Sequence, residues 1–387
     1  MTDHHDQTEV HGTCDPRFDA VRERFAANIA EGTEVGASVA VTLHGEPVVD
    51  LWAGDAVAGE RAWEADTIVN CWSVTKTMAG IATLVLVDRG QLDLDAPVAD
   101  VWPEFAAEGK GAVTTAHVLG HTAGLPGYSR PIGVPELYDH DACAADLAAQ
   151  APWWEPDTQA AYHAVTQGTL LGEIVRRVAG RTIGDVFRTE VAEPLGADFH
   201  IGLPASDEPR VGTMVPPPNP LGALEGADPA RAEHRMFASH PIDGTEQNTR
   251  AWCAAEIPAA GGTGNARAVA RVHSAIANGG TVDGVRVLGP ETVDRIFVEQ
   301  WEGPVIGLGL PMRLGTGFGI VGPSTPLSTS EKACFWGGWG GAICVIDLDL
   351  QLSVAYIMNK MAGGLVGDLR GAVLAITAGA AARDAHA

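Results

Sequence analysis

Ser73 and Lys76 stand three residues apart in the stretch VNCWSVTKTMA, Val69 to Ala79. On a helix, residues at that spacing share a face with Cβ atoms about 5–6 Å apart, so the hydroxyl and the amine can meet. Burial disfavours the charged ammonium, and a neutral amine can take the proton of a serine hydroxyl and make it a nucleophile. The chain's four lysines and ten serines give about 0.1 Ser-x-x-Lys matches by chance, and one is present. The competing reading makes Ser73 a helix cap and Lys76 a solvated first-turn residue. A cation at a helix N-terminus opposes the macrodipole, which favours a functional reason for Lys76.

The elements that must position this pair follow an informative order. Phe18, Val21, Phe25 and Ile29 recur at helical spacing and predict an N-terminal amphipathic helix. Two strands follow, Ala37 to Gly45 and Pro47 to Gly54, and the His44-Gly45-Glu46 turn between them predicts a hairpin. From Lys76 to about Arg250 the pattern is mostly helical, with glycine stops at Gly90 and Gly180. After Gly261 a helix (ARAVARVHSAIANGG) precedes strands in GAICVIDLD and LSVAYIMN, and a last helix is predicted over LVGDLRGAVLAITAGAAARD. Strands near both ends with helices between predict an α/β (α+β) chain whose sheet is assembled from both termini. Residues 1–68 and 252–387 are expected to form a discontinuous α/β domain around a mostly helical domain, 69–251. The Pro- and Gly-rich stretch Val211 to His234 predicts a long surface loop lying over a site.

Composition narrows the classes of partner. A net charge of −24 repels nucleic acid and anionic lipid, so neither is expected as a partner. No uninterrupted run of eighteen apolar residues predicts a membrane span. The start, MTDHHDQTEV, has neither a basic nor an apolar leader region, and a cytoplasmic protein is expected. Six scattered cysteines (Cys14, Cys71, Cys143, Cys253, Cys334, Cys344) without a C-x-x-C pair read as free buried thiols. His4, His5, His11 and Cys14 have metal-binding side chains, but they fall in a polar end, and no metal is assigned there. The sequence leaves the oligomeric state open.

Three further stretches, VLGHTAGLPGY (Val118 to Tyr128), YHA (Tyr162 to Ala164) and CFWGGWGGAI (Cys334 to Ile343), follow the serine and lysine in order. Together the set resembles the serine β-lactamase and penicillin-binding superfamily, nearest to class C β-lactamases and family VIII carboxylesterases, over nearly the whole chain. The resemblance implies an antiparallel sheet flanked by helices, an inserted helical domain and an active site in the groove between them. By motif it implies Ser73 as nucleophile, Lys76 as its partner and Tyr162 as the general base that later serves as acid. Which of Lys76 and Tyr162 takes the first proton stays open, because such pairs titrate together. It also implies an oxyanion hole from the N–H groups of Ser73 and Trp339, and a third motif, Trp336-Gly337-Gly338, on an edge strand beside the groove. A second Trp-Gly-Gly begins at Trp339 and leaves that register open. Trp336, Trp339 and Tyr128 are expected to wall the groove; Trp153 and Trp154 read better as ordinary packing, and His121 as structural.

Departures from the lactamase pattern set the expected specificity. Trp336 stands where those enzymes carry the lysine of Lys-Thr-Gly, so the cation that meets a β-lactam carboxylate is missing. Ala164 stands in place of an asparagine, which removes an amide contact. On this reading, Trp336→Lys restores part of β-lactam binding. No Gly-x-Ser-x-Gly elbow occurs, GASVA at Gly36 being a near miss, which disfavours a Ser-His-Asp hydrolase. The expected protein is a serine carboxylesterase acting on small to medium esters through an acyl-enzyme on Ser73, with no organic cofactor. Alternatives are a β-lactamase, a D-amino peptidase or amidase, or an acyltransferase of the same fold. From another class, the alternative is a penicillin-binding-like sensor with weak catalysis.

Overall fold

A computed structural model describes residues 8–217, 228 and 230–386. Its first elements include strand β1 (Val10–Cys14) and helix α1 (Asp19–Ala30). Phe18, Val21, Phe25 and Ile29 are buried as their spacing predicts. Each such side chain contributes roughly 1.5–3 kcal/mol relative to exposure. The hairpin forms from β2 (Gly36–Leu43) and β3 (Glu46–Val57). Its turn is two residues long, with His44 at φ 53° and Gly45 at φ 87°, the left-handed pair that matches the twist of the flanking strands. Glu46 pairs with Leu43 inside the ladder.

The helical middle contains α2 (Thr75–Asp88), the short strand β4 (Ala160–Ala161) and α3 (Thr166–Ala179). Gly90 and Gly180, at φ 67° and 65°, end the two helices in the left-handed conformation. Then come α4 (Ala266–Ala277), β5 (Trp301–Ile306), β6 (Pro311–Leu314), β7 (Gly319–Ile320), β8 (Ala333–Gly337), β9 (Ile343–Asp347), β10 (Leu352–Met358) and α5 (Leu369–His386). The last helix starts at Leu369 rather than Leu365, because Gly363, Gly364 and Gly367 cluster in the preceding segment, which wraps instead against Gly338 and Gly340.

One sheet runs in the order β1-β3-β2-β10-β9-β8-β7-β6-β5-β4, with Arg61–Ala62 added beside β3. All neighbours on that path are antiparallel except β4 and β5, which run parallel. Both ends of the sequence therefore meet at its centre, where β2 pairs with β10 from Leu43↔Leu352 to Ala37↔Met358. Alternation along these strands sends Ser38 toward α4, where it accepts from the Ala266 N–H, and Tyr356 toward Gly371 of α5. The sheet is thus covered on both faces, which is why β2, β9 and β10 are buried at every position.

The sequence placed the third motif on an edge strand, and the sheet order corrects this: β8 lies between β7 and β9. Pairing with β7 reaches only Cys334 and Phe335, however, so Trp336 and Gly337 are unpaired on that side. Within the Val211 to His234 stretch, residues 218–227 and 229 lie outside the described residues, as do His4 and His5. The stretch runs into a short helix, Ala232–Ala238. Among the described residues no helix is long and apolar enough to cross a membrane, and the six cysteines are unpaired.

Candidate active site

Ser73 sits in a 3-10 turn, Trp72–Val74, that leads directly into α2. The turn is anchored from both sides. Trp72 is held at φ 47°, a left-handed value uncommon for a bulky residue, while Thr75 Oγ1 donates to Trp72 O and accepts from the Gly262 N–H at 2.9 Å. Such strain persists where surrounding contacts over-determine it, a pattern found at functional sites. Ser73 is buried at the floor of a cleft.

Lys76 lies one turn on, 1% exposed, with Nζ 2.9 Å from Ser73 Oγ. Nζ also donates to the backbone carbonyls of Ala164 at 2.7 Å and Ala259 at 2.8 Å. Burial pushes its pKa well below the ordinary lysine range. A neutral amine has two N–H donors and one lone pair: the two carbonyls take the donors, and the lone pair is left for the Ser73 hydroxyl.

Tyr162 follows β4, its N–H bonded to Ile306 O at 2.8 Å at the end of β5. Its hydroxyl donates to Ser73 Oγ, and its ring passes 4.8 Å from Lys76 Nζ. Burial raises the phenol's pKa, which the neighbouring Ser73 hydroxyl only partly offsets, so the phenol is protonated at rest. Hydrogen bonds thus join the Tyr162 hydroxyl to Ser73 Oγ, Ser73 Oγ to Lys76 Nζ, and Lys76 Nζ to two carbonyls. This arrangement can draw the serine proton toward the amine and hold another on the phenol.

The end of β8 lies across from the serine. A Cβ on Gly338 would come within 2.5 Å of Cys71 O, and one on Gly337 within 2.3 Å of Gly367 N, so only glycine allows both approaches. Trp339 follows, its indole edge-on to Trp72 with centroids 4.8 Å apart. The turn after Trp339 is tied down where Arg370 Nη2 donates to Gly340 O at 2.6 Å, while the same guanidinium pairs with buried Glu34 at 2.8 Å.

Other sequence candidates fall elsewhere. Trp336 is 1% exposed and stacks on His121, centroids 5.4 Å apart, behind Tyr162 rather than in the cleft wall. Tyr128 is also buried away from the cleft, its hydroxyl 3.0 Å from Thr169 Oγ1. Both expectations failed for the same reason: an aromatic in a motif is worth more as packing when a neighbour can cover it. His121 accepts at Nδ1 from the His163 N–H, and His163 accepts at Nε2 from the Leu125 N–H, which ties the HTAGL stretch to the Tyr162 strand. Trp153 lies under the Arg235 guanidinium, 4.3 Å from its centroid, with Trp154 at its edge.

The cleft is lined beside Ser73 and Tyr162 by Trp72, Phe237, Ile242, Trp339 and Leu365, with His240 the remaining polar side chain. Among the described residues that line it, none is lysine or arginine. His240 and Ile242 were missed because they sit on an irregular segment with neither motif nor period, and Phe237 because its helix, Ala232–Ala238, is only seven residues long.

The β-lactamase family model matches residues 21–378. The chain is similar to the esterase/β-lactamase LipL of Mycobacterium tuberculosis, 36% identical over 368 residues that cover 92% of this chain and 84% of the relative. It is 30% identical to esterase EstB of Burkholderia gladioli over 397 residues, 91% of this chain and 92% of the relative. A solved structure of a family VIII carboxylesterase superposes with a TM-score of 0.90 at 41% identity, covering 97% of this chain and 100% of that one.

Proposed function

The chain belongs to the β-lactamase family and is a serine carboxylesterase of that fold, and from this premise we propose that Ser73, Lys76 and Tyr162 carry the reaction. Ser73 Oγ attacks the ester carbonyl carbon as its proton passes to Lys76 Nζ. The carbonyl oxygen, now an oxyanion, takes hydrogen bonds from the Ser73 and Trp339 N–H groups. The bond from carbon to the alcohol oxygen breaks, and Tyr162 gives that oxygen its proton. The alcohol leaves, an acyl-enzyme remains, and the proton on Lys76 is free to restore the phenol. Water then attacks the acyl carbon, gives its proton to the pair, and Ser73 Oγ departs reprotonated with the acid released.

The observation that carries this reading is the position of Ser73 Oγ between the buried Lys76 amine, 2.9 Å away, and the Tyr162 hydroxyl, which donates to it. The apolar lining supports esters of small to medium acids as substrates, and six unpaired thiols support a reducing compartment such as the cytoplasm. Ser73→Ala is the test: hydrolysis of a short-chain p-nitrophenyl ester should fall by about 10³-fold or more with the melting temperature unchanged. Retained turnover would place the nucleophile elsewhere.

A further inference from the structure

Besides Ser73 and Tyr162, His240 is the polar side chain in a cleft whose other described walls are apolar. Its ring is 96% buried, held 3.0 Å from Ser239 Oγ through Nδ1. Ser239 Oγ already donates its one proton to Met236 O at 2.7 Å and accepts from the Tyr128 N–H at 3.1 Å. One lone pair is left on that oxygen, so Nδ1 must be the donor and Nε2 the bare acceptor. Nε2 has no partner among the described residues, although it is buried. Burial holds the imidazole pKa down to about 4, so the ring keeps this form at neutral pH.

A buried acceptor without a donor is costly unless something supplies one. We propose that His240 Nε2 accepts a hydrogen bond from a hydroxyl carried on the acyl chain of the substrate, so that the enzyme selects hydroxylated carboxylic esters over plain alkanoates. The inference rests on the reading of this cleft as the ester site. No covalent step is added to the reaction. The neutral ring acts only on which ester is held near Ser73.

The test compares kcat/KM for p-nitrophenyl butyrate with the 2-hydroxy and 3-hydroxy butyrates, in wild type and in His240→Phe, which keeps an aromatic ring and removes the acceptor. In wild type one of the hydroxy esters should be preferred about 10–100-fold. In His240→Phe that ratio should collapse toward one, the loss falling on the hydroxy ester more than on plain butyrate. His240→Gln, which keeps an acceptor oxygen, should retain part of the preference. A wild-type ratio near one overturns the proposal without any variant. Equal loss on all three esters overturns it too, since it would assign the ring to the hydrolytic water or to packing. Fluorophosphonate labelling of Ser73 in each variant keeps this result separate from the reading of the cleft itself: a labelled serine with no hydroxyl preference sinks the His240 assignment alone.

Discussion

At the scale of residues, the account turns on where two protons rest. Lys76 must be neutral to accept from Ser73, and burial lowers its pKa. Activity should therefore fall as pH drops through that lowered value and the amine takes a proton. Tyr162 must be protonated to serve the leaving alcohol, and burial raises its pKa, so the alkaline side should hold. A kcat/KM profile that declines on the acid side and shows no alkaline limb is the expected result; a decline at mildly alkaline pH would contradict the tyrosine assignment. Because the two groups act through one serine, Lys76→Ala, Tyr162→Phe and the double variant should each lower kcat by a similar factor, about 10³, rather than multiplying. The serine–lysine pair was legible from sequence because three residues on one helix is a local fact. Tyr162 was legible only through resemblance, since 89 residues separate it from Ser73 and nothing local joins them. His240 was not legible at all: its role depends on a proton count at Ser239 Oγ that no spacing encodes.

At the scale of elements, the end of β8 leads into Trp339, whose N–H is the second of the proposed oxyanion donors. Gly338→Ala would set a methyl group 2.5 Å from Cys71 O, against backbone that cannot swing aside as a side chain does. The strand end must then shift, carrying the Trp339 N–H with it. We expect kcat to fall by about 10²-fold, the usual loss for one oxyanion donor, with KM little changed. A loss expressed mainly in KM would show that this strand binds substrate without stabilising the transition state. The hairpin, α1 and α4 could be read from periodicity because their partners are near in sequence or their apolar faces are continuous. The position of β8 could not be read, because β7 and β9 flank it only through the tertiary order of the sheet. The start of α5 was placed four residues early because Leu365 and Val366 continue an apolar pattern across glycines that in fact break it.

At the scale of the molecule, the sheet gathers strands from both ends of the chain beside a cleft whose described lining residues include no lysine or arginine. Short-chain p-nitrophenyl esters should be turned over with kcat/KM at least about 10²-fold above a chromogenic cephalosporin, whose carboxylate finds no charge-assisted partner. The reverse order would make this a lactamase. The sequence suggested that Trp336→Lys restores part of that partner, and the structure reverses the expectation. Trp336 is stacked on His121 out of the cleft, so the variant buries an unpaired ammonium. Its melting temperature should drop by several degrees without gain in cephalosporin turnover. The central claim, that one serine is made nucleophilic by the amine and phenol around it, is tested most directly by covalent labelling. A fluorophosphonate followed by peptide mass spectrometry should add one adduct per chain, on Ser73, slowed by a competing ester and lost in Ser73→Ala. An adduct on any other residue, or labelling that persists in Ser73→Ala, would contradict it.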